Sequence, residues 1–190
     1  MWRDRLRLLV KTYLQIQVAS VPGDVVECGV GKGKSLAVLA QLVAIEKKGR
    51  QLWAFESWDV FPPLAPEDTA TDGNVAYLTE GLVVGNKEVV GVRLGPLGDS
   101  VRFVDGYLAD TLPAWCGGPV AYLHLDLDLY VSYRTALLHL WPKLSTGGIA
   151  VFDEYHEKVK YPGVKKAVDE FLRTVPHTLH EDTRWYAVKS

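Results

Sequence analysis

Cysteine, methionine and charge of one sign are all scarce in this chain, and each shortage closes off a class of protein. Among 190 residues there are two cysteines, Cys28 and Cys116, and one methionine. Two thiols cannot build a disulfide framework, and Cys28 lies in an apolar run where a small buried thiol is the ordinary expectation. That usage suits a reducing compartment, so a cytoplasmic location is expected. The formal net charge is −2, which leaves no general basic field to attract nucleic acid. The densest basic cluster, Lys158, Lys160, Lys165 and Lys166, reads as a solvated face. No apolar run reaches the ~20 residues of a membrane span. Met1 to Leu14 carries Arg3, Asp4, Arg5 and Arg7 instead of a continuous apolar stretch, so no secretory signal is expected. Neither nucleic acid nor a membrane is expected as a partner, and a homo-oligomer is compatible with the sequence.

What is present is apolar substance, 48% of the chain, enough for one domain with a compact core. Leu6, Leu9, Tyr13 and Ile16 recur at helical spacing and predict a helix over Trp2 to Gln17. Val25 to Cys28 reads as a strand, Gly29 to Gly33 as a glycine turn, Ser35 to Lys47 as an apolar helix and Gln51 to Phe55 as a second strand. Between Phe61 and Ser100 proline and glycine break the pattern, leaving room for helices near Val75–Val84 and Lys87–Leu94. That irregular stretch is expected to cover the acceptor side of a site. Strands return at Val101–Val104, Val120–Leu125 and Ile149–Phe152, with helices over Tyr133–Leu144 and Gly163–Thr174, and a strand pair over His177–Thr183 and Trp185–Lys189 closes the chain. The expected fold class is α/β, Rossmann-like: a mostly parallel seven-stranded sheet with one antiparallel strand and helices on both faces.

The turn Glu27-Cys28-Gly29-Val30-Gly31-Lys32-Gly33-Lys34-Ser35 admits three readings, separated by spacing. A phosphate-binding P-loop needs four residues between its first glycine and Gly-Lys-Ser, and here that first glycine falls on Cys28. The dinucleotide fingerprint needs a third small residue where Lys34 stands. Glu-x-Gly-x-Gly-x-Gly, the loop of class I methyltransferases, fits without exception. Its glycines admit close backbone approach, and the next helix offers unpaired N–H groups to the methionyl carboxylate of S-adenosylmethionine. Glu27 would then face the ammonium group, with Cys28, Gly29, Val30, Gly31, Gly33 and Ser35 shaping the site. Glu56, ending the second strand with Ser57 beside it, stands where such folds bind ribose hydroxyls.

Asp126 and Asp128 follow one apolar strand, and Asp153 and Glu154 follow another. In a parallel sheet both pairs lie on the ligand-binding edge, where converging carboxylates repel unless something positive joins them. Three oxygen ligands suit Mg²⁺ or a similar hard divalent ion. The strand is expected to stop near Asp126, leaving Asp128 to a helix N-cap or a structural hydrogen bond.

Several stretches carry a resemblance. They include Val26-Glu27-Cys28-Gly29-Val30, Glu56-Ser57-Trp58-Asp59-Val60-Phe61-Pro62, Asp105 to Pro113, Leu125-Asp126-Leu127-Asp128-Leu129-Tyr130, Asp153-Glu154-Tyr155 and Ala167 to Phe171. In this order the chain resembles the macrocin O-methyltransferase family of metal-dependent class I methyltransferases, which act on sugar hydroxyls of macrolides. The resemblance implies S-adenosylmethionine and a divalent metal as cofactors. It implies Asp126, Asp153 and Glu154 as metal ligands and Gly106-Tyr107 near the adenine. Glu56 and Glu154 depart from the family's usual Asp, His124 stands where an arginine is common, and a shorter N-terminal portion implies a reduced lid.

The expected activity is O-methylation of a sugar or other vicinal-diol hydroxyl on a small molecule, with Asp126 as catalytic carboxylate and base and His156 as a weaker candidate. A P-loop-like hydrolase, a non-catalytic binding domain of this fold and a catechol-type methyltransferase are the alternatives.

Overall fold

The computed structural model describes residues 2–69, 85–157 and 159–190. The chain opens with helix α1 (Trp2–Val18), then strand β1 (Asp24–Cys28), helix α2 (Lys34–Glu46) and strand β2 (Leu52–Glu56). Beyond a 3₁₀ turn at Pro66–Asp68 come α3 (Lys87–Leu94), β3 (Val101–Asp105), the short α4 (Leu108–Thr111) and β4 (Val120–Leu125). Helix α5 (Tyr130–Leu140), β5 (Leu144–Phe152), α6 (Pro162–Leu172), β6 (His177–Glu181) and β7 (Trp185–Lys189) complete it. The helix expected near Val75–Val84 lies outside the described residues, whereas Lys87–Leu94 is helical as its sequence predicts.

One seven-stranded sheet runs in the order β3-β2-β1-β4-β5-β7-β6, with β7 antiparallel to both its neighbours and all other pairings parallel. The strands are so apolar because both faces are covered. Along β1, Val26 and Cys28 enter one core with Leu123, Leu125, Ala150 and Phe152, beneath α5 and α6. Val25 enters the other with Tyr122, Ile149 and Val151, beneath α1, α2 and α3. On α1 the predicted stripe is borne out at Leu9, Tyr13 and Ile16, all buried. Thr12 is buried as well, its hydroxyl 2.7 Å from that of Tyr122. Cys28 and Cys116 are both free thiols, one buried and one exposed.

Strand register decides where function can sit. Cys28 pairs with Phe55 on one side and Leu125 on the other, and Leu125 pairs with Phe152. The C-terminal ends of β1, β2, β4 and β5 therefore lie level. Sequence order reverses between β1 and β4, the place where open α/β sheets leave a crevice for ligands. No described helix is long and apolar enough to cross a membrane.

Candidate active site at the sheet switch point

The crevice is a cavity of about 250 Å³. The β1–α2 loop forms one wall through Gly29, Val30, Gly31, Lys32, Lys34 and Ser35. Glu56, Ser57, Asp59, Phe61 and Pro62 follow β2, Gly106, Tyr107 and Leu108 follow β3, and Asp126, Leu127 and Asp128 follow β4. Of the residues the sequence nominates for the cofactor, Gly29, Val30, Gly31, Ser35, Glu56, Ser57, Gly106, Tyr107 and Asp126 line this space. Glu27, Cys28 and Gly33 are buried and do not line it.

The start of the loop is pinned from both neighbouring strands. Gly29 N–H donates to the Phe55 carbonyl and Asp126 N–H to the Cys28 carbonyl, each at 3.0 Å. Gly29 has φ +85°, and a Cβ placed on it would lie 1.8 Å from the Asp126 carbonyl oxygen, so only glycine fits between the two strand ends. Glu56 Oε2 accepts the N–H groups of Val30 and Gly31, both at 2.8 Å, while Oε1 accepts Ser57 N–H at 2.9 Å. A carboxylate has about four lone-pair sites, so Glu56 can brace the loop and still accept further hydroxyls. Across the cavity the Tyr107 hydroxyl donates to the Val60 carbonyl at 2.9 Å, holding the β2 and β3 loops together.

Glu27 is fully buried, with Oε1 2.8 Å from His124 Nδ1. Burial pushes the Glu27 carboxyl upward. Burial works against a charged His124, but the adjoining Glu27 outweighs it and raises the imidazole. Both directions favour a proton on the pair. Its register partnership, Glu27 opposite His124 on neighbouring strands, was invisible without the β1–β4 pairing.

The strand-end carboxylates Asp126, Asp128, Asp153 and Glu154 interact as one crowded set. One oxygen each from Asp126, Asp128 and Glu154 lie within 4.8 Å of one another. Glu154 is buried, and Tyr133 Oη stands 2.7 Å from its Oε2 and 2.8 Å from the Leu125 carbonyl. Burial, then the charges of Asp126, Asp153 and Asp128, push Glu154 well above the usual carboxylate range. Burial and Asp126 push Asp128 up to about 7. Asp153, within hydrogen-bonding reach of Glu154, is also ion-paired: Oδ2 with Arg5 of α1, and Oδ1 3.4 Å from Arg184 Nε at the β6–β7 turn. Neither arginine was picked out by sequence, because α1 and the final hairpin reach this edge only through tertiary folding. Of the two roles expected of Asp128, it takes the structural hydrogen bond, from the Tyr161 hydroxyl, and not the helix N-cap. Tyr130 N–H at the start of α5 donates instead to Asp68 Oδ1 at 2.7 Å. His156 is partly buried, 3.4 Å from Glu157 Oε1, and burial lowers its imidazole.

Comparison with known proteins bears on this arrangement. The 8-demethyl-8-(2,3-dimethoxy-alpha-L-rhamnosyl)-tetracenomycin-C 4'-O-methyltransferase of Streptomyces olivaceus is 36% identical over 157 residues, covering 80% of this chain and 59% of that protein. The mycinamicin III 3''-O-methyltransferase of Micromonospora griseorubida is 32% identical over 159 residues, covering 80% and 61%. This chain thus spans about three fifths of the length of these relatives. Among solved structures, the O-methyltransferase NovP superposes with a TM-score of 0.83 at 26% identity, over 98% of this chain and 80% of its own. The calicheamicin methyltransferase CalS11, at 0.78 and 23%, shares the fold. The family model described as Macrocin-O-methyltransferase (TylF) matches residues 1–185, and the chain belongs to that family.

Proposed function

We propose that the protein is an S-adenosylmethionine-dependent O-methyltransferase whose acceptor is a hydroxyl of a small molecule, a sugar or another vicinal diol, assisted by a divalent metal. The observation that carries this reading is a single cavity bordered by both a glycine-rich β1–α2 turn and converging strand-end carboxylates. The relatives named for rhamnosyl and mycinamicin methylation support the sugar hydroxyl as acceptor class.

In this reading the N–H groups opening α2 and the Ser35 hydroxyl receive the methionyl carboxylate. Lys32 and Lys34 add positive charge on that wall. Glu56 accepts the ribose hydroxyls, and Ser57, Gly106 and Tyr107 border the adenine. Glu27, Cys28 and Gly33 shape the loop from behind, with Glu27 held by His124.

The donor set fits a hard dication. Several carboxylate oxygens are crowded at a buried edge, where burial first and then mutual repulsion work against their charge. Asp126 and Glu154 would hold the ion together with a third strand-end carboxylate, for which family resemblance nominates Asp153. When bound, such an ion lowers the pKa of a coordinated hydroxyl and orients it. Transfer itself is an in-line displacement: the acceptor oxygen bonds to the methyl carbon, the carbon–sulfur bond breaks, and sulfur leaves as a neutral thioether. The acceptor proton passes to a carboxylate at the cluster, and Asp126 lines the cavity where that proton is released.

A thermal-shift screen of S-adenosylmethionine, S-adenosylhomocysteine, ATP and NAD, each with and without Mg²⁺, tests the reading. Stabilisation by the two sulfur nucleosides is expected. Stabilisation by ATP–Mg²⁺ alone would establish a nucleotide hydrolase in its place, and cofactor binding with no transfer to any diol would leave a binding domain.

A further inference from the structure

We propose that Gly85 and Trp58 are positioning residues for the cofactor's ribose, a fixed wall that confines the Glu56 carboxylate where it braces the glycine loop and borders the cavity. A clasp at Asp105 holds that wall in place. This rests on the S-adenosylmethionine reading above and deepens its ribose contact.

The wall is close. Gly85 lines the cavity. A Cβ placed on it would lie 3.1 Å from Trp58 Cε3 and 3.2 Å from Glu56 Cδ, inside the ordinary van der Waals separation of two carbons. Gly85 is not among the glycines with positive φ. No left-handed backbone therefore demands glycine at this position, and the demand is for space.

Neither neighbour can readily yield. Glu56 accepts three backbone N–H groups, two of them from the glycine loop, and any shift of its carboxyl strands a donor. Trp58 has φ +57°, a conformation that a bulky residue keeps only where its surroundings over-determine it. Its indole N–H donates to Asp105 Oδ1 at 2.7 Å, and its ring tilts against Phe103 with centroids 6.0 Å apart.

Asp105 ties the two sides of this contact together. Ending β3, it stands opposite Glu56 in register, and Gly106 N–H donates to the Glu56 carbonyl at 3.0 Å. One Asp105 oxygen takes the Trp58 indole, and the other pairs with Lys87 in the first turn of α3. Asn86 caps that helix by accepting Val89 N–H at 2.9 Å, and Gly85 immediately precedes the cap. One carboxylate thus anchors both the indole and the backbone that meet at Glu56. An exposed Lys–Asp pair contributes little by itself, so the indole bond is the more important half of the clasp. Any side chain added at Gly85 would press on Glu56 and turn its carboxyl away from the ribose hydroxyls.

The test is isothermal calorimetry on the full chain with S-adenosylhomocysteine and its 2′-deoxyribose analogue. The parent protein is expected to prefer the ribose ligand by about tenfold or more, as a hydrogen bond to a charged acceptor allows. Gly85→Ala should lose most of that preference, weakening the ribose ligand far more than the analogue. Asp105→Ala should lose part of it, and Asp105→Asn, which keeps an acceptor for the indole N–H, should restore it. The Asp105 variants keep the question answerable where Gly85→Ala prevents folding, since the Asp105 side chain is half exposed. Equal weakening of both ligands by Gly85→Ala, or of neither, overturns the wall and leaves the cofactor reading standing. So does a parent protein indifferent to the 2′-hydroxyl, or an Asp105→Ala variant that keeps the full preference. Failure of the parent protein to bind either ligand overturns both.

Discussion

Glu56 shows at the scale of one residue how a side chain can serve the fold and the chemistry together. Its two oxygens take three backbone N–H groups, two of them from the glycine loop. Glu56→Gln keeps the size but turns one acceptor into a donor facing backbone donors. Isothermal calorimetry should then show S-adenosylhomocysteine binding weakened by about tenfold or more, since a mispaired buried polar group costs about 1–3 kcal/mol. Unchanged affinity would mean that Glu56 touches no ligand. Residues of this kind were legible in sequence because their position followed from local order alone: an acid at the end of the second strand, glycines just after the first. Arg5 and Arg184 were not. Whether a strand-end acid meets a cation or a neighbouring carboxylate depends on segments that arrive from far along the chain.

At the scale of elements the same division recurs. Helix α5 begins at Tyr130, three residues before its expected start at Tyr133, because its first turn is capped from outside. Asp68 accepts Tyr130 N–H across 62 positions of sequence and also takes Ala65 N–H at 3.0 Å. A cap so distant leaves no local signature. Asp68→Ala should lower unfolding free energy by about 1–2 kcal/mol in urea titration. The α1–α2 joint depends on Glu46, whose Oε2 is 2.6 Å from the Tyr13 hydroxyl and 2.9 Å from Arg50 Nε. Burial opposes its ionisation, but those two partners prevail and hold the carboxyl below its ordinary 4.5. A lowered acid stabilises the fold above its unfolded value and loses that contribution as pH falls through its folded one. Urea midpoints measured from pH 6 to pH 3 should therefore drop less steeply for Glu46→Gln than for the parent protein. Parallel slopes would remove Glu46 from the account.

For the whole molecule, alternation of apolar strands and helices sufficed to anticipate a seven-stranded sheet with one reversed strand, because strands buried on both faces leave an unbroken hydrophobic mark. It could not order the acidic side chains around the switch point, where charge neutralisation among distant segments decides. Occupation of that switch point should be visible globally. With S-adenosylhomocysteine at a hundred times its dissociation constant, mass action contributes about 2.7 kcal/mol. At about 2–4 °C per kcal/mol for a chain of this size, melting should rise by about 5–10 °C. No rise at that occupancy, verified by calorimetry, would indicate a ligand held equally by the unfolded chain.

The contact between Gly29 and the Asp126 carbonyl leaves no slack between the loop and the first acid. Were the proposed nucleoside and cation both to lean on that one doorpost, whatever factor the first applied to the affinity of the second would be returned to it undiminished.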